Sequence, residues 1–118
     1  MVKHLEDKLQ EACIKFFDSQ FPMYILHHSP NGGRRTKFEG ALFKRLGCRA
    51  GFPDLILLFG NDKYNGLLIE LKTDKGVQSQ SQKAFEKKVK LTKYKYIICR
   101  SFEEFRTEIT NYINNKDI

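Results

Sequence analysis

Three charged residues stand at the ends of two apolar segments near the middle of the chain. Asp54 precedes the apolar residues 55–59, while Glu70 and Lys72 end a second apolar run that begins at Gly66. Runs of this kind, rich in Leu and Ile, are typical of buried β-strands. Because side chains alternate across a strand, Glu70 and Lys72 lie on the same face. Acidic and basic groups together at the ends of two buried strands suggest metal-dependent chemistry on a phosphodiester.

A hairpin between the two runs determines which residue faces Asp54. A turn centred on Asp62 places Asp54 opposite Glu70, since both lie equally far from it along the chain. Directly opposed side chains have Cβ atoms about 4.5–5.5 Å apart, so the two carboxylates repel unless a cation lies between them. A turn at Asn65-Gly66 would shift this register. We favour the turn at Asp62, because the polar residues before Asn65 make a poor strand.

A hard cation would suit this pair of carboxylates. Mg²⁺ is bound by one or two carboxylates together with waters and phosphate oxygens, and the Leu71 carbonyl between the two side chains is a natural further ligand. Such an ion would polarise a phosphoryl oxygen and lower the pKa of a bound water. Lys72 would orient that water or stabilise charge developing on phosphorus. The alternative is an ordinary ion pair of Lys72 with Glu70 or Asp54.

The composition is that of a basic, folded protein. Of the 118 residues 41% are hydrophobic, including ten Phe and five Tyr, which excludes a disordered chain. We expect one domain covering residues 1–118. Lys and Arg outnumber Asp and Glu by 21 to 14, a formal net charge of +7. Such a surplus indicates a polyanionic partner, with nucleic acid the first candidate, although a Lys-rich surface of no special function is also common.

The cysteines and the hydropathy of the chain indicate the cellular compartment of the protein. Cys13, Cys48 and Cys99 form no Cys-x-x-Cys pair, so neither a zinc knuckle nor a disulfide framework is expected. Each lies among apolar neighbours and is predicted to be a reduced, buried thiol. No apolar stretch approaches the roughly 18 residues of a membrane span, and the N-terminus does not resemble a signal peptide. We expect an intracellular, cytoplasmic protein with no membrane partner.

The hydrophobic pattern predicts the order helix, strand, helix, strand, strand, helix, strand, helix. The predicted helices cover about residues 3–19, 36–46, 79–91 and 102–113, and the strands about 23–28, 55–59, 66–72 and 94–99. Capping boxes at Thr36 and Ser79 open the second and third helices, and Gly47 ends the second. His27 and His28 point to opposite faces of their strand, so they do not share a metal. The class is α/β, a small mixed sheet with flanking helices.

Three other segments could bring polar groups to the hairpin. Glu6 and Gln10 flank the apolar stripe of the first helix, and Gln82 lies in the first turn of the third. Solvent exposure of Glu6 and capping by Gln82 are the simpler interpretations. The clearest loop could hold phosphates through backbone N–H and guanidinium groups, although it is also an ordinary turn sequence. Its residues are Asn31, Gly32, Gly33, Arg34 and Arg35.

Taken in order, these motifs resemble a known nuclease family. Pro53-Asp54 followed by Glu70-Leu71-Lys72 is similar to the PD-(D/E)xK signature, and most of the chain resembles the VRR-NUC domain in its small stand-alone form from phages and bacteria. The matching segments are Glu6 with Gln10 and Phe16, Pro30-Asn31-Gly32-Gly33 with a following Arg, Leu46-Gly47, Gly51-Phe52-Pro53-Asp54-Leu55, Tyr64-Asn65-Gly66-Leu67 with Ile69-Glu70-Leu71-Lys72, and Lys75-Gly76 with Gln82. The chain departs at Phe16, where the family usually has Trp, and at Gln80, where it usually has Pro.

The resemblance implies a restriction-endonuclease-like core that cuts DNA with Mg²⁺ or Mn²⁺. It assigns metal binding to Asp54, Glu70 and the Leu71 carbonyl, catalysis to Lys72, and completion of the active site to Glu6 and Gln82. Stand-alone members are similar to Holliday junction resolvases, which implies a homodimer acting on branched DNA. Either Glu6 or Glu11 could match the family's helix acid, and Glu6 fits the spacing to Gln10 better, because Glu11 is rotated away by 100° per residue.

Two other functions compete with this interpretation. A non-catalytic DNA-binding module would use only the basic loop and helices. It gains nothing from Asp54 and Glu70, which repel a polyanion. A metal-dependent hydrolase of small phosphates would be expected to carry a Walker or Rossmann glycine pattern, and the sequence has neither.

Overall fold

The computed structural model of the chain describes residues 2–29 and 37–116. Helices and strands follow one another there in the predicted order. The helices are α1 (Val2–Gln20), α2 (Lys37–Arg45), α3 (Gln80–Lys90) and α4 (Phe102–Ile113), and the strands are β1 (Leu26–His28), β2 (Leu55–Leu57), β3 (Gly66–Leu71) and β4 (Tyr94–Cys99). None of the helices in these ranges is long and apolar enough to cross a membrane.

The four strands of these ranges form one mixed sheet in the order β1-β2-β3-β4. The first two pairings are antiparallel, and β3 pairs with β4 in parallel. A parallel pair cannot be joined by a tight hairpin, and α3 supplies the crossover that it needs. The predicted α/β class, a small mixed sheet with flanking helices, is confirmed.

The hairpin of β2 and β3 has the predicted register. Leu55 lies opposite Ile69, and continuing this pairing by one residue places Asp54 opposite Glu70. The turn is therefore centred on Asp62, as expected. This register brings the two carboxylates to the same end and the same face of the hairpin.

Asn61 fixes the turn of this hairpin. Its side-chain Oδ1 accepts the backbone N–H of Lys63 at 2.9 Å and that of Tyr64 at 2.8 Å, as in the Asx turns that Asn favours. The alternative turn at Asn65 does not form, because Asn65 donates its backbone N–H to the Lys93 carbonyl at 2.7 Å. The segment that could have turned instead pairs with the residues that lead into β4.

One face of the sheet packs against α1 and α4 to form the main core. Alternate residues of β2 and β3 enter it, and burial of each large apolar side chain stabilises the fold by about 1.5–3 kcal/mol. The buried residues that meet here are Cys13 and Phe17 of α1, Leu55, Leu57, Leu67, Ile69, Leu71 and Cys99 of the strands, and Phe105, Ile109 and Tyr112 of α4.

The opposite face of the sheet carries the charged residues. Asp54, Glu70 and Lys72 alternate away from the main core, and α3 covers their face only in part. Leu58, which shares this face, is 58% exposed. The open part of this face is thus at the Leu58 end of the hairpin, whereas Glu70, at the other end, is 4% exposed.

Helix caps in the second half of the chain follow the sequence closely. The Ser79 Oγ accepts the Gln82 N–H, and the Gln82 Oε1 accepts the Ser79 N–H, which completes the predicted capping box of α3. The Ser101 Oγ caps α4 by accepting the Glu104 N–H. The capping box predicted at Thr36 lies outside the described residues, as does the loop predicted to hold phosphates, which comprises Asn31, Gly32, Gly33, Arg34 and Arg35.

Two details of the predicted fold are wrong. Cys13 and Cys99 are buried as expected, but Cys48 is exposed. Cys48 follows α2, a helix with no buried residue, so its apolar sequence neighbours do not form a core around it. The first strand begins at Leu26, not Met23, whose side chain is 69% exposed.

Candidate active site

Asp54 is held against the next strand by its own side chain. The Asp54 Oδ2 accepts the Leu71 N–H at 2.7 Å. The neighbouring Lys72 N–H points the other way, to the Cys99 carbonyl on β4 at 3.0 Å. Because the N–H and C=O of one strand residue point to the same side, the Leu71 carbonyl also faces the Asp54 side. One carboxylate and one carbonyl thus lie next to each other.

Glu70 is the buried charged residue of this site. It is 4% exposed, and its Oε2 accepts the Gln82 Nε2–H at 2.9 Å and lies 3.7 Å from the Lys72 Nζ. Its Oε1 is also buried and has no hydrogen-bond partner within the described residues. An unpaired buried acceptor costs about 1–3 kcal/mol, so this oxygen is available to a ligand at little further desolvation cost.

The burial of Glu70 and its position opposite Asp54 also change the pKa of its carboxyl group. Burial, with a further contribution from the negative charge of Asp54, raises its pKa to about 8, and the positive charge of Lys72 opposes this. Without a cation, this carboxyl group therefore holds its proton near neutral pH. A divalent ion between Asp54 and Glu70 would replace that proton and stabilise both carboxylates.

Glu6 approaches this cluster from the first turns of α1. Burial raises its pKa, while the positive charge of Lys72 and a hydrogen bond from the Thr73 backbone lower it and the negative charge of Asp54 raises it again. Glu11 is exposed on another side of the same helix. Of these two acids, Glu6 is therefore the one that lies near Lys72 and Asp54.

Gln82 has both of the roles considered for it. Its Oε1 completes the α3 capping box and its Nε2 donates to Glu70. Gly51 makes this approach possible: its φ is +81°, and a Cβ there would lie 2.2 Å from the Ser81 carbonyl oxygen. The chain before Asp54 consequently packs directly on the N-terminus of α3, and a larger residue at Gly51 would separate the two.

Arg100 supports the site in a way that the sequence did not indicate. Its Nη1 donates to the carbonyls of Thr73 at 2.8 Å and Gly76 at 2.6 Å, which fixes the loop that follows Lys72. Gly76 in turn packs on the Lys72 stem, because a Cβ there would lie 3.2 Å from the Lys72 Cδ. The sequence gives no local signal for this contact, since the partners are 24 and 27 residues apart.

His27 and His28 are consecutive residues of β1 and point to opposite faces of the sheet. The His28 Nδ1–H donates to the Asp54 carbonyl at 2.8 Å, so this ring supports the backbone of Asp54, while His27 points to the other face. No group of three or more His, Cys, Asp or Glu side chains in the described part of the chain is placed to hold a metal.

The donor set fits an ion that keeps most of its own water. Two facing carboxylates, a strand carbonyl and a buried unpaired oxygen are all hard oxygen donors. Mg²⁺ is bound in this way, by one or two carboxylates plus waters and substrate phosphates. The residues of the site therefore fit Mg²⁺ or Mn²⁺ better than zinc, whose sites are built mainly from His and Cys ligands.

The fold and this arrangement of acids and Lys72 define the chain as a nuclease-like domain. The chain belongs to the VRR-NUC domain family, whose match extends over residues 5–103. A solved structure described as a VRR_NUC domain protein has the same fold, with a TM-score of 0.80 and 28% sequence identity over 92% of this chain and 88% of that chain. A comparison with curated proteins gave no match. The resemblance read from the ordered motifs is confirmed.

Proposed function

We propose that this protein is a Mg²⁺- or Mn²⁺-dependent endonuclease that hydrolyses phosphodiester bonds in DNA. Membership of a nuclease-associated family supports the reaction class. The observation that carries the proposal is Glu70, a buried carboxyl group with an unpaired oxygen that faces Asp54 beside Lys72. A binding module for a polyanion would have no use for such a pair of acids.

Asp54, Glu70 and the Leu71 carbonyl would hold the ion. When bound, the ion supplies charge neutralisation at the phosphoryl oxygen and a bound water of lowered pKa. Lys72, whose Nζ lies 3.7 Å from the Glu70 Oε2, orients the attacking water or stabilises the developing negative charge. Gln82 fixes the Glu70 Oε2, and Glu6 adds a carboxylate on the α1 side.

A second part of the proposal concerns the DNA substrate and the assembly of the protein. The resemblance to stand-alone family members supports branched DNA, such as a four-way junction, as the substrate and a homodimer as the active form. The loop with Arg34 and Arg35 would grip phosphates outside the site. The buried thiols of Cys13 and Cys99, which form no disulfide, are compatible with a reducing, intracellular compartment.

Cleavage of labelled DNA tests this proposal. Linear, flap and four-way substrates are incubated with the protein in Mg²⁺, in Mn²⁺ or in EDTA. We expect cleavage only with a divalent ion, and a loss of about 100-fold or more for Lys72→Ala with DNA binding retained. Lys75→Ala, an exposed lysine three residues further on, is the matched control and should cut normally. Equal cutting by Lys72→Ala and wild type would refute the mechanism, and binding without any cutting would favour the non-catalytic module.

A further inference from the structure

A groove with a volume of about 1070 Å³ lies between α2 and α3, outside the carboxylate site. Its apolar lining includes Phe43, Phe85 and Val89. Neither α2 nor α3 contains a buried residue, and Leu91 at the groove is 84% exposed. Two amphipathic helices thus present apolar surface to an open groove that is large enough for a drug-sized ligand.

The charges around this groove all have the same sign. Lys44, Arg49, Lys87 and Lys88 line it, and no acidic residue is among the described residues that do so. None of the four forms an ion pair elsewhere in the described part of the chain. The groove therefore combines an apolar floor with uncompensated positive charge, and this favours an anionic occupant that also has apolar surface.

One end of the groove adjoins the carboxylate site. Gly51 and Ser81 line the groove, and these are the residues at which the chain before Asp54 packs on α3. The next residue of the helix, Gln82, donates to Glu70. The groove therefore reaches the segments that carry Asp54 and Gln82 into the carboxylate site.

We propose that this groove binds an unpaired strand of nucleic acid that is continuous with the DNA held at the carboxylate site. The groove and its residues lie outside the site of the proposed function. Only the link between this groove and DNA cleavage rests on that proposed function. Unpaired bases can stack on Phe43 and Phe85 while the lysines contact phosphates, the combination used in single-strand binding. A duplex keeps its bases stacked inside and would leave the apolar floor uncovered.

A second copy of the chain fits the groove less well. A two-fold interface brings the same patch of both subunits together, so the four cations of one groove would face the four of the other. Like charges facing each other oppose association by several kcal/mol. The charge pattern therefore favours a nucleic-acid strand over self-association as the occupant.

Binding measured in EDTA tests this proposal without any cleavage. Fluorescence anisotropy compares a blunt duplex with the same duplex carrying a single-stranded tail of about ten nucleotides. We expect the tailed DNA to bind more tightly, and Lys87→Ala/Lys88→Ala to lower the affinity for tailed DNA about tenfold while changing that for blunt DNA less than about twofold. The control is Lys15→Ala/Lys116→Ala, which removes two exposed lysines from the side of α1 and α4.

Cys48 provides a second readout that needs no substitution. It is exposed and lines the groove, whereas Cys13 and Cys99 are buried and burial raises the pKa of each to about 12. Iodoacetamide should therefore alkylate Cys48 selectively in the folded protein. We expect tailed DNA to slow this reaction several-fold and blunt duplex at equal occupancy to leave it unchanged.

Three results would overturn the groove assignment. The first is equal affinity of the wild type for tailed and blunt DNA. The second is an equal loss of affinity for both DNAs in Lys87→Ala/Lys88→Ala. The third is a change of that variant from dimer to monomer in sedimentation while its preference for tailed DNA is retained. Failure of the proposed function is a separate outcome. A wild type that prefers tailed DNA in EDTA but cuts no DNA in Mg²⁺ keeps the groove and loses the nuclease mechanism.

Discussion

At the scale of single residues, Glu70 is where stability and proposed function oppose each other. It is buried, faces a second carboxylate and leaves one oxygen without a partner. Gln82 and Lys72 satisfy only its other oxygen. An apolar residue would stabilise the metal-free fold better, so the position is suited to binding a ligand and not to packing.

The raised pKa of Glu70 gives the protein in EDTA a characteristic pH dependence. The ordinary value is 4.5 and the folded value is about 8, so the folded state holds a proton that the unfolded chain releases. Stability is therefore highest below pH 4.5 for this group and is lost as the pH rises through 8. Thermal unfolding of Glu70→Gln in EDTA should lack most of the decline between pH 5 and 8 that the wild type shows. Glu11→Gln is the control, and an unchanged decline in Glu70→Gln contradicts the assignment.

At the scale of elements, the N-terminus of α3 connects folding to the site through one side chain. Gln82 caps the helix with Oε1 and holds Glu70 with Nε2. The capping box could be predicted because its residues are three apart, whereas the contact with Glu70 could only be suggested. The contact of Gln82 with Glu70 depends on Gly51 and on the packing of two segments that are distant in sequence.

Two substitutions separate these roles of Gln82. Ser79→Ala removes the cap and should cost about 1 kcal/mol of unfolding free energy, with a small effect on cleavage. Gln82→Glu keeps an acceptor for the Ser79 N–H but replaces the donor to Glu70 by a negative charge, and should lower cleavage about tenfold or more. Chemical denaturation and cleavage rates measure the two effects. If Ser79→Ala lowers cleavage as much as Gln82→Glu does, the contact with Glu70 has no separate role.

Arg100 is expected to stabilise the loop that follows Lys72. Arg100→Ala removes the charged donor to the carbonyls of Thr73 and Gly76, and hydrogen bonds to a charged group contribute about 1.5–3 kcal/mol. We expect a loss of about that size in chemical denaturation, with partial recovery in Arg100→Lys. Arg106→Ala is the control: this arginine pairs with Glu103 at the surface, and its loss should cost less than about 1 kcal/mol. Equal losses in the two alanine variants would show that Arg100 has no special part.

At the scale of the whole molecule, the two faces of the sheet have different tasks. One face forms the core with α1 and α4, and the other carries Asp54, Glu70 and Lys72 beside the groove between α2 and α3. The chain as a whole carries a formal net charge of +7, which favours a polyanionic partner.

Local patterns predicted the parts of this fold that local forces determine. The order of elements, the α3 cap and the pairing of Asp54 with Glu70 follow from periodicity, side-chain capping and a hairpin turn. The exposure of Cys48 and the contacts of Arg100 could not be predicted. They depend on which surfaces meet after folding, and no residue of α2 is fully buried among the described parts of the chain.

The most direct test of whether Asp54 and Glu70 hold a divalent ion is binding of Mn²⁺ in the absence of DNA. Isothermal titration calorimetry at pH 7 compares the wild type with Asp54→Asn, Glu70→Gln and the control Asp62→Asn, an exposed acid in the hairpin turn. We expect Mn²⁺ to bind to the wild type and the control, with proton release on binding, and not to either site variant. Unchanged binding in Asp54→Asn and Glu70→Gln would contradict the claim that these two carboxylates hold the ion.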